Sequence, residues 1–221
     1  MRSLFILCFM LLIPYTTFSQ SGIKFSLFAE PKITWTNSDA DEKVTNKGAS
    51  FGFNGGLTMD MYFTPRYAFS SVISLNSINS RLKAKEKVYI GLENGMVDSV
   101  INESIKYNLQ YVNVPVGLKL ETDPIGMVTI CSKVGVIPQI NVKSDAIYDS
   151  SEKNVYNNEI NLFNALYQIG AGVEYGLGGG SAFSVMLLYR NSFLDITKEQ
   201  KDELDDKITF RNVGLQISLI F

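Results

Sequence analysis

Glu30, Asp60 and Glu174 are carboxylates on the polar side of alternating segments, and two such groups a few ångströms apart are what glycoside hydrolysis requires. The same side carries Lys24, Lys32, Lys133 and Arg190. Charges withdrawn from water need partners, so a mixture of signs at this density reads first as mutual neutralisation. The expectation is a structural network of Lys24, Glu30, Lys32, Asp60, Lys133, Glu174 and Arg190. In it the three carboxylates satisfy Lys24, Lys133 and Arg190, and no catalytic residue, cofactor site or metal site is assigned. The chain has no histidine. That removes the commonest general base and the commonest metal ligand, and it argues against an enzyme.

Other chemical motifs reduce to structure. Gly178-Gly179-Gly180 could cradle a phosphate, but a strand follows it where a helix N-terminus would be needed, so a tight hairpin turn is expected. Gly170-Ala171-Gly172-Val173-Glu174 has part of a dinucleotide fingerprint but lies inside a strand. Cys131 falls on the polar side as a small filler. Cys8 sits in an N-terminal apolar run, so the remaining thiol has no partner for an internal disulfide. The loop at 198–206 carries Asp202, Asp205 and Asp206, which could hold Ca²⁺, but a solvated loop is the expected reading.

The elements that position these residues are strands. Odd positions Ile23, Phe25, Leu27, Ala29, Pro31, Ile33 and Trp35 are apolar, and the even positions between them read Lys24, Ser26, Phe28, Glu30, Lys32 and Thr34, polar except for Phe28. The pattern recurs in segments around 51–63, 67–76, 128–142, 163–177, 183–193 and 213–221. The fourth segment changes register: Ile105, Tyr107, Leu109 and Tyr111 are apolar at odd positions, then Val112, Val114, Val116, Leu118 and Leu120 at even ones. A one-residue slip reverses the faces, which predicts a β-bulge near Tyr111–Asn113, beside Pro115.

With 221 residues and no internal linker, these eight segments make one domain. A net charge of −2 supplies no basic excess to neutralise phosphates, so nucleic acid is excluded as the main partner. At the N-terminus Arg2, the apolar residues 4–14 and Thr17-Phe18-Ser19 have the anatomy of a secretory signal peptide, predicting a signal at 1–19 and a mature chain of 20–221. No other stretch is long and apolar enough for a transmembrane helix, so any membrane crossing must be made by strands.

Three features favour a membrane barrel, with its apolar side outward, over a soluble one. The polar side is rich in Gly, Ser and Asn with isolated charges of both signs, as suits a narrow lumen. Aromatics cluster at strand ends, with Phe25, Phe63, Tyr67, Tyr175, Phe183 and Phe221 near one rim. Trp35, Phe51, Tyr107, Phe163, Tyr167 and Phe193 gather near the other, giving two interfacial girdles. Tight links (Thr64-Pro65-Arg66, 121–126, 178–181) alternate with long polar ones (37–48, 85–104, 145–160, 197–206). The fold expected is an all-β, eight-stranded, antiparallel up-and-down transmembrane β-barrel, closed because lipid tolerates no unpaired backbone edge. The alternative is a lipocalin-like barrel that binds a small molecule, either soluble in the periplasm or with the ligand at the barrel mouth.

The strand pattern, the stretch Tyr111-Val112-Asn113-Val114-Pro115 and the ending from Val213 to Phe221 together resemble the PorT-like family of outer-membrane barrels, whose fold is similar to OmpX and the membrane domain of OmpA. Asn113 stands where that family commonly has an acidic residue. The resemblance implies an outer-membrane location in a Gram-negative envelope and contact with outer-membrane lipid. It also implies delivery by the barrel-assembly machinery, with Phe221 as the assembly signal, and a non-enzymatic structural, adhesive or accessory role, secretion included, through protein partners at the outer loops.

Overall fold

In the computed structural model the alternating segments become eight staves. They are β1 (Ile23–Ser38), β2 (Ser50–Thr64), β3 (Tyr67–Ala84), β4 in two pieces (Ser104–Asn113 and Val116–Glu121), β5 (Val128–Tyr148), β6 (Phe163–Gly178), β7 (Ser181–Ser192) and β8 (Ile208–Ile220). The structure describes residues 22–38, 44–46, 48–84, 88–91, 97–100, 104–148, 151–153, 161–194 and 208–221. The predicted signal segment at 1–19, with Cys8, and the acidic loop at 198–206 lie outside the described residues.

Each stave pairs antiparallel with the next, and β8 pairs back onto β1. Phe25 and Phe221 exchange both backbone hydrogen bonds, at 3.1 and 2.9 Å, which seals the last seam. Following paired residues once around the ring runs Lys24, Asp60, Ser70, Gly117, Gly135, Gln168, Arg190, Asn212 and then Thr34. The path returns to β1 ten residues above its start (34 − 24). Ten residues of ~3.3 Å against eight spacings of ~4.8 Å give a strand tilt of about 40°.

The apolar side faces out. Leu57, Ile73, Leu75, Ile169 and Leu187 are each more than half exposed, whereas Ser26, Asn54, Thr58, Ser74, Gln139, Asn164 and Gln216 are buried inside. A soluble barrel would show the reverse. The tight links all lie at the end of the barrel that holds Ile23 and Phe221. Pro65 and Arg66 turn β2 into β3, and Gly178, Gly179 and Gly180, all at positive φ, turn β6 into β7. Phe25 and Trp35 stand ten residues apart on β1 and Phe51 and Phe63 twelve apart on β2, so the girdles are separated by roughly 25–30 Å along the axis, the thickness of a hydrocarbon band. Tyr167 departs from its expected girdle. It pairs with Val136 and Asn191, below the rim, and packs its ring 6.4 Å from that of Tyr189. The side chain of Tyr107 lies outside the described ones.

The predicted irregularity is present, but on the facing stave. Gln110 pairs with Lys143 and Tyr111 with Asn141, so the extra residue is Val142 of β5. Above it the inward position on β5 passes from Gln139 and Asn141 to Ser144. On β4 no reversal occurs. Leu109, Tyr111, Asn113, Pro115 and Lys119 all point inward, and Gln110, Val114, Leu118 and Leu120 point out. What changes along β4 is the environment. Leu120 and Gln110 are ten residues apart, which carries the outer face from the lower girdle to the upper one, where amide side chains meet headgroups and water. At that height Leu109 and Tyr111 join Ile78 and Phe210 in an apolar plug inside the barrel.

Candidate functional site in the barrel lumen

The lumen is filled by layers of side chains. Nearest the short turns is a charged layer, followed by an apolar layer containing Phe28, Met186 and Leu188. A second charged layer comes next, and the apolar plug of Ile78, Leu109, Tyr111 and Phe210 lies above it, towards the outer end. Small inward residues admit the large ones. A Cβ on Gly172 would lie 2.2 Å from the Val185 carbonyl oxygen and 2.8 Å from Met186 Cβ.

The lower charged layer centres on Lys119 of β4, which is 1% exposed. Its ammonium touches Glu174 at 2.6 Å, Glu121 at 2.7 Å and Asp60 at 3.3 Å, and it donates to Tyr62 Oη at 3.0 Å. The Tyr62 hydroxyl in turn donates to Glu121, and Ser70 Oγ donates to Asp60 Oδ1 at 2.6 Å. Lys24 lies over the Tyr62 ring, 4.7 Å from its centroid. Lys133 feels Asp60, Lys119, Glu174 and Cys131 as its charged or polarisable neighbours. Three ammonium groups (Lys24, Lys119, Lys133) thus meet three carboxylates (Asp60, Glu121, Glu174). Cys131 is a free, buried thiol packed against Met186 and Leu188.

The upper layer centres on Glu30, which is fully buried. Arg190 grips it bidentately, with Nη2 donating to Oε2 at 2.8 Å and Nη1 to Oε1. Asn54 Nδ2 donates to Oε2 at 3.2 Å, and Arg190 Nε donates to Gln168 Oε1 at 3.3 Å. Lys32 sits two residues above Glu30 on the same face, yet its ammonium turns the other way and donates to Asn76 Oδ1.

Of the seven residues expected in a network, the structure brings Glu30 to Arg190 and gathers Asp60, Glu174, Lys24 and Lys133 in a separate lower layer. Lys32 joins neither through an ion pair among the described residues. The hub, Lys119, and its partners Glu121 and Tyr62 are additional to that set. Their signal was available: Leu118 and Leu120 face outward, so Lys119 and Glu121 fall on the inner face, and Tyr62 shares the inner register of Asp60.

Carboxylates this enclosed are placed to neutralise cations. Among the described residues no group of His, Cys, Asp and Glu side chains could hold a metal ion. No helix among them is long and apolar enough to cross a membrane.

Comparison with known proteins agrees with this geometry. The family model described as the outer-membrane protein β-barrel domain matches residues 14–180, about three quarters of the chain. The chain belongs to this outer-membrane β-barrel family. Its barrel continues beyond the matched segment, through all of β7 and β8. OprG of Pseudomonas aeruginosa, an outer-membrane protein, is similar in structure at a TM-score of 0.52 with 10% identity, covering 91% of this chain and 96% of that one. Neisserial surface protein A gives a TM-score of 0.44 with 10% identity, over 89% of this chain and 97% of that one. Ail, the attachment invasion locus protein of Yersinia pestis, gives 0.40 with 13% identity, over 90% and 98%. Among curated proteins none matches. Membership of the family, an eight-stave ring and an apolar exterior together make this an eight-stranded β-barrel of the outer membrane.

Proposed function

We propose that this outer-membrane barrel is a non-enzymatic structural, adhesive or accessory component, and that it acts through its outer connections. The observation that carries the reading is the filled lumen: two charged layers and two apolar ones occupy the interior from the short-turn end to the outer plug. An eight-stranded interior packed in this way leaves a solute little room, so transport is a poor fit. The carboxylates best suited to acid–base chemistry are already committed to Lys119 and Arg190. The outer ends are built out instead. β3, β4 and β5 run past the upper girdle to Ala84, Ser104 and Tyr148, and Val44–Asn46 and Ser151–Lys153 add to that raised wall.

Within the family we read the chain as PorT-like, on the Tyr111–Pro115 stretch and the C-terminal strand, with secretion or assembly among the accessory roles. On this reading residues 1–19 direct export, Phe221 serves the barrel-assembly machinery, and protein partners dock on the outer loops. The test replaces the four long connections with short Gly-Ser hairpins in one variant and makes Glu174→Gln in another. The envelope phenotype of a deletion strain should be rescued by Glu174→Gln and left unrescued by the loopless barrel, provided both reach the outer membrane. The opposite pattern would replace this reading with chemistry or small-molecule binding in the lumen.

A further inference from the structure

The outer wall carries a charge that nothing in the barrel neutralises. On β1, β2, β6, β7 and β8 the described outward positions are apolar, aromatic, small or neutral polar, with Arg211 of β8 the exception. Its neighbours Phe210 and Asn212 are buried inside, so Arg211 faces out. It stands directly opposite Trp35 of β1 and Asn191 of β7. Asn191 is in turn opposite Tyr167 of β6, and its Nδ2 donates to Tyr167 Oη at 3.2 Å. Directly opposed side chains stand ~4.5–5.5 Å apart, so these four form one continuous row on the outer face. The row climbs with the stagger of the ring, from Tyr167 below the rim to Trp35 in the upper girdle. Arg211 is ten residues from Phe221 of the lower girdle (221 − 211), roughly 25 Å along the axis. That height is the boundary between hydrocarbon and headgroups. The long connections leave from this end, which is the external one in barrels of this kind.

A guanidinium cannot shed its charge as a buried ammonium can, so it needs a counter-charge or water wherever the fold puts it. Arg211 forms no ion pair and no side-chain hydrogen bond among the described residues, and its Nε is enclosed without a partner. The acceptor on the opposed residue, Asn191 Oδ1, is likewise enclosed and unpartnered. This donor and this acceptor lie within reach of each other. Of the three guanidinium nitrogens only Nε is enclosed, so the two Nη groups open outward at headgroup height. Their planar fork matches two oxygens of a phosphate. Basic side chains at a membrane surface recognise anionic headgroups in this way.

We infer that Arg211 binds the phosphate of an outer-leaflet lipid headgroup, on the outer wall between Asn191 and Trp35. The site faces lipid, and it does not depend on the role proposed for the outer loops.

Trp35 is the one tryptophan of the chain, so its fluorescence reports the lipid beside Arg211. The experiment refolds the protein into phosphatidylcholine vesicles in which a fixed minor share of lipid is brominated on its acyl chains. The brominated lipid is either phosphatidylcholine itself or phosphatidic acid, whose headgroup is a bare phosphate monoester. Bromine quenches only a fluorophore close to it. Brominated phosphatidic acid should quench Trp35 as though enriched beside it at least about fivefold over brominated phosphatidylcholine, a preference of ~1 kcal/mol. Arg211→Gln should bring the two lipids to parity. Arg66→Gln, at the short-turn end and paired with Asp123, should leave the preference unchanged. Inorganic phosphate added at constant ionic strength should not displace the lipid. Displacement would assign the site to free phosphate and overturn the inference. Arg211 bonds to no described side chain, so Arg211→Gln should refold, and the wild-type comparison decides without it if it does not. Equal quenching by the two lipids in the wild type, or a preference that survives Arg211→Gln, would also overturn the inference and leave Arg211 solvated by water among the headgroups.

Discussion

Arg190 on β7 reaches Glu30 on β1 across the intervening stave β8, at the level of Gly214. A Cβ on Gly214 would stand 2.2 Å from Glu30 Oε1, so the bidentate pair and the missing side chain are one arrangement. Gly214→Ala is therefore expected to displace the carboxylate and destabilise the barrel by ~1–3 kcal/mol, as overpacking does. Arg190→Met, which strands a buried carboxylate, should cost more, ~3–5 kcal/mol. Urea unfolding in micelles measures both. A Gly214→Ala variant as stable as wild type would show that the pair relaxes freely around a methyl group.

Lys119 is expected to be the most sensitive lysine in the lumen. Lys119→Met leaves Asp60, Glu121 and Glu174 facing one another with their shared counter-ion gone. The loss should again be ~3–5 kcal/mol, and adding Glu174→Gln should restore part of it, because one of the repelling charges is removed. Lys24→Met removes a cation that lies over the Tyr62 ring and has more access to solvent, so its cost should be nearer ~1 kcal/mol. Equal losses in the two variants would mean that Lys119 is not the hub.

The contrast between these two lysines marks how far the sequence could be read. Alternation in β1, β2, β3, β6, β7 and β8 assigned inner and outer faces directly, because outside lipid and inside polar packing differ at every step. It faltered on β4, where Leu109 and Tyr111 are apolar yet point inward. An outward apolar residue marks the hydrocarbon band only while the strand is inside that band, and above it polarity no longer distinguishes the faces. Misjudging that boundary hid Lys119 and Glu121 and put the bulge on the wrong stave. Which cation meets which carboxylate was not legible, since it depends on the ten-residue stagger around the ring. That stagger brings Glu30 beside Arg190, 160 positions apart in sequence.

The outward apolar face predicts a depth-dependent penalty for charge. Leu187 is four residues above Phe183 of the lower girdle and six below Phe193 of the upper, near the middle of the band. Leu187→Arg should cost ~2–4 kcal/mol in lipid vesicles, and Phe183→Arg at the rim only ~0–1. The wild-type protein should also run as a compact band on SDS gels that shifts on boiling. An inside-out, soluble barrel would tolerate Leu187→Arg as an ordinary surface change, show no such shift, and appear in the periplasmic extract.

Phe221 separates stability from delivery. Its ring is exposed to lipid, and its backbone closes the seam by exchanging hydrogen bonds with Phe25. Phe221→Ala keeps that backbone exchange and removes only the ring, so stability measured after refolding in vesicles should fall modestly, by ~1–2 kcal/mol of lost apolar contact. If the terminal aromatic is read by the assembly machinery, the cellular effect is larger: the heat-modifiable form in outer-membrane fractions should drop several-fold while unfolded chain accumulates in the periplasm. A second variant, Phe25→Ala, removes an aromatic of the same girdle from the partner strand and should show the same modest loss of stability with near-normal delivery. The ratio of delivery to stability is thus the quantity to compare. Parallel losses in the two variants would make Phe221 one more girdle residue, with no special part in assembly.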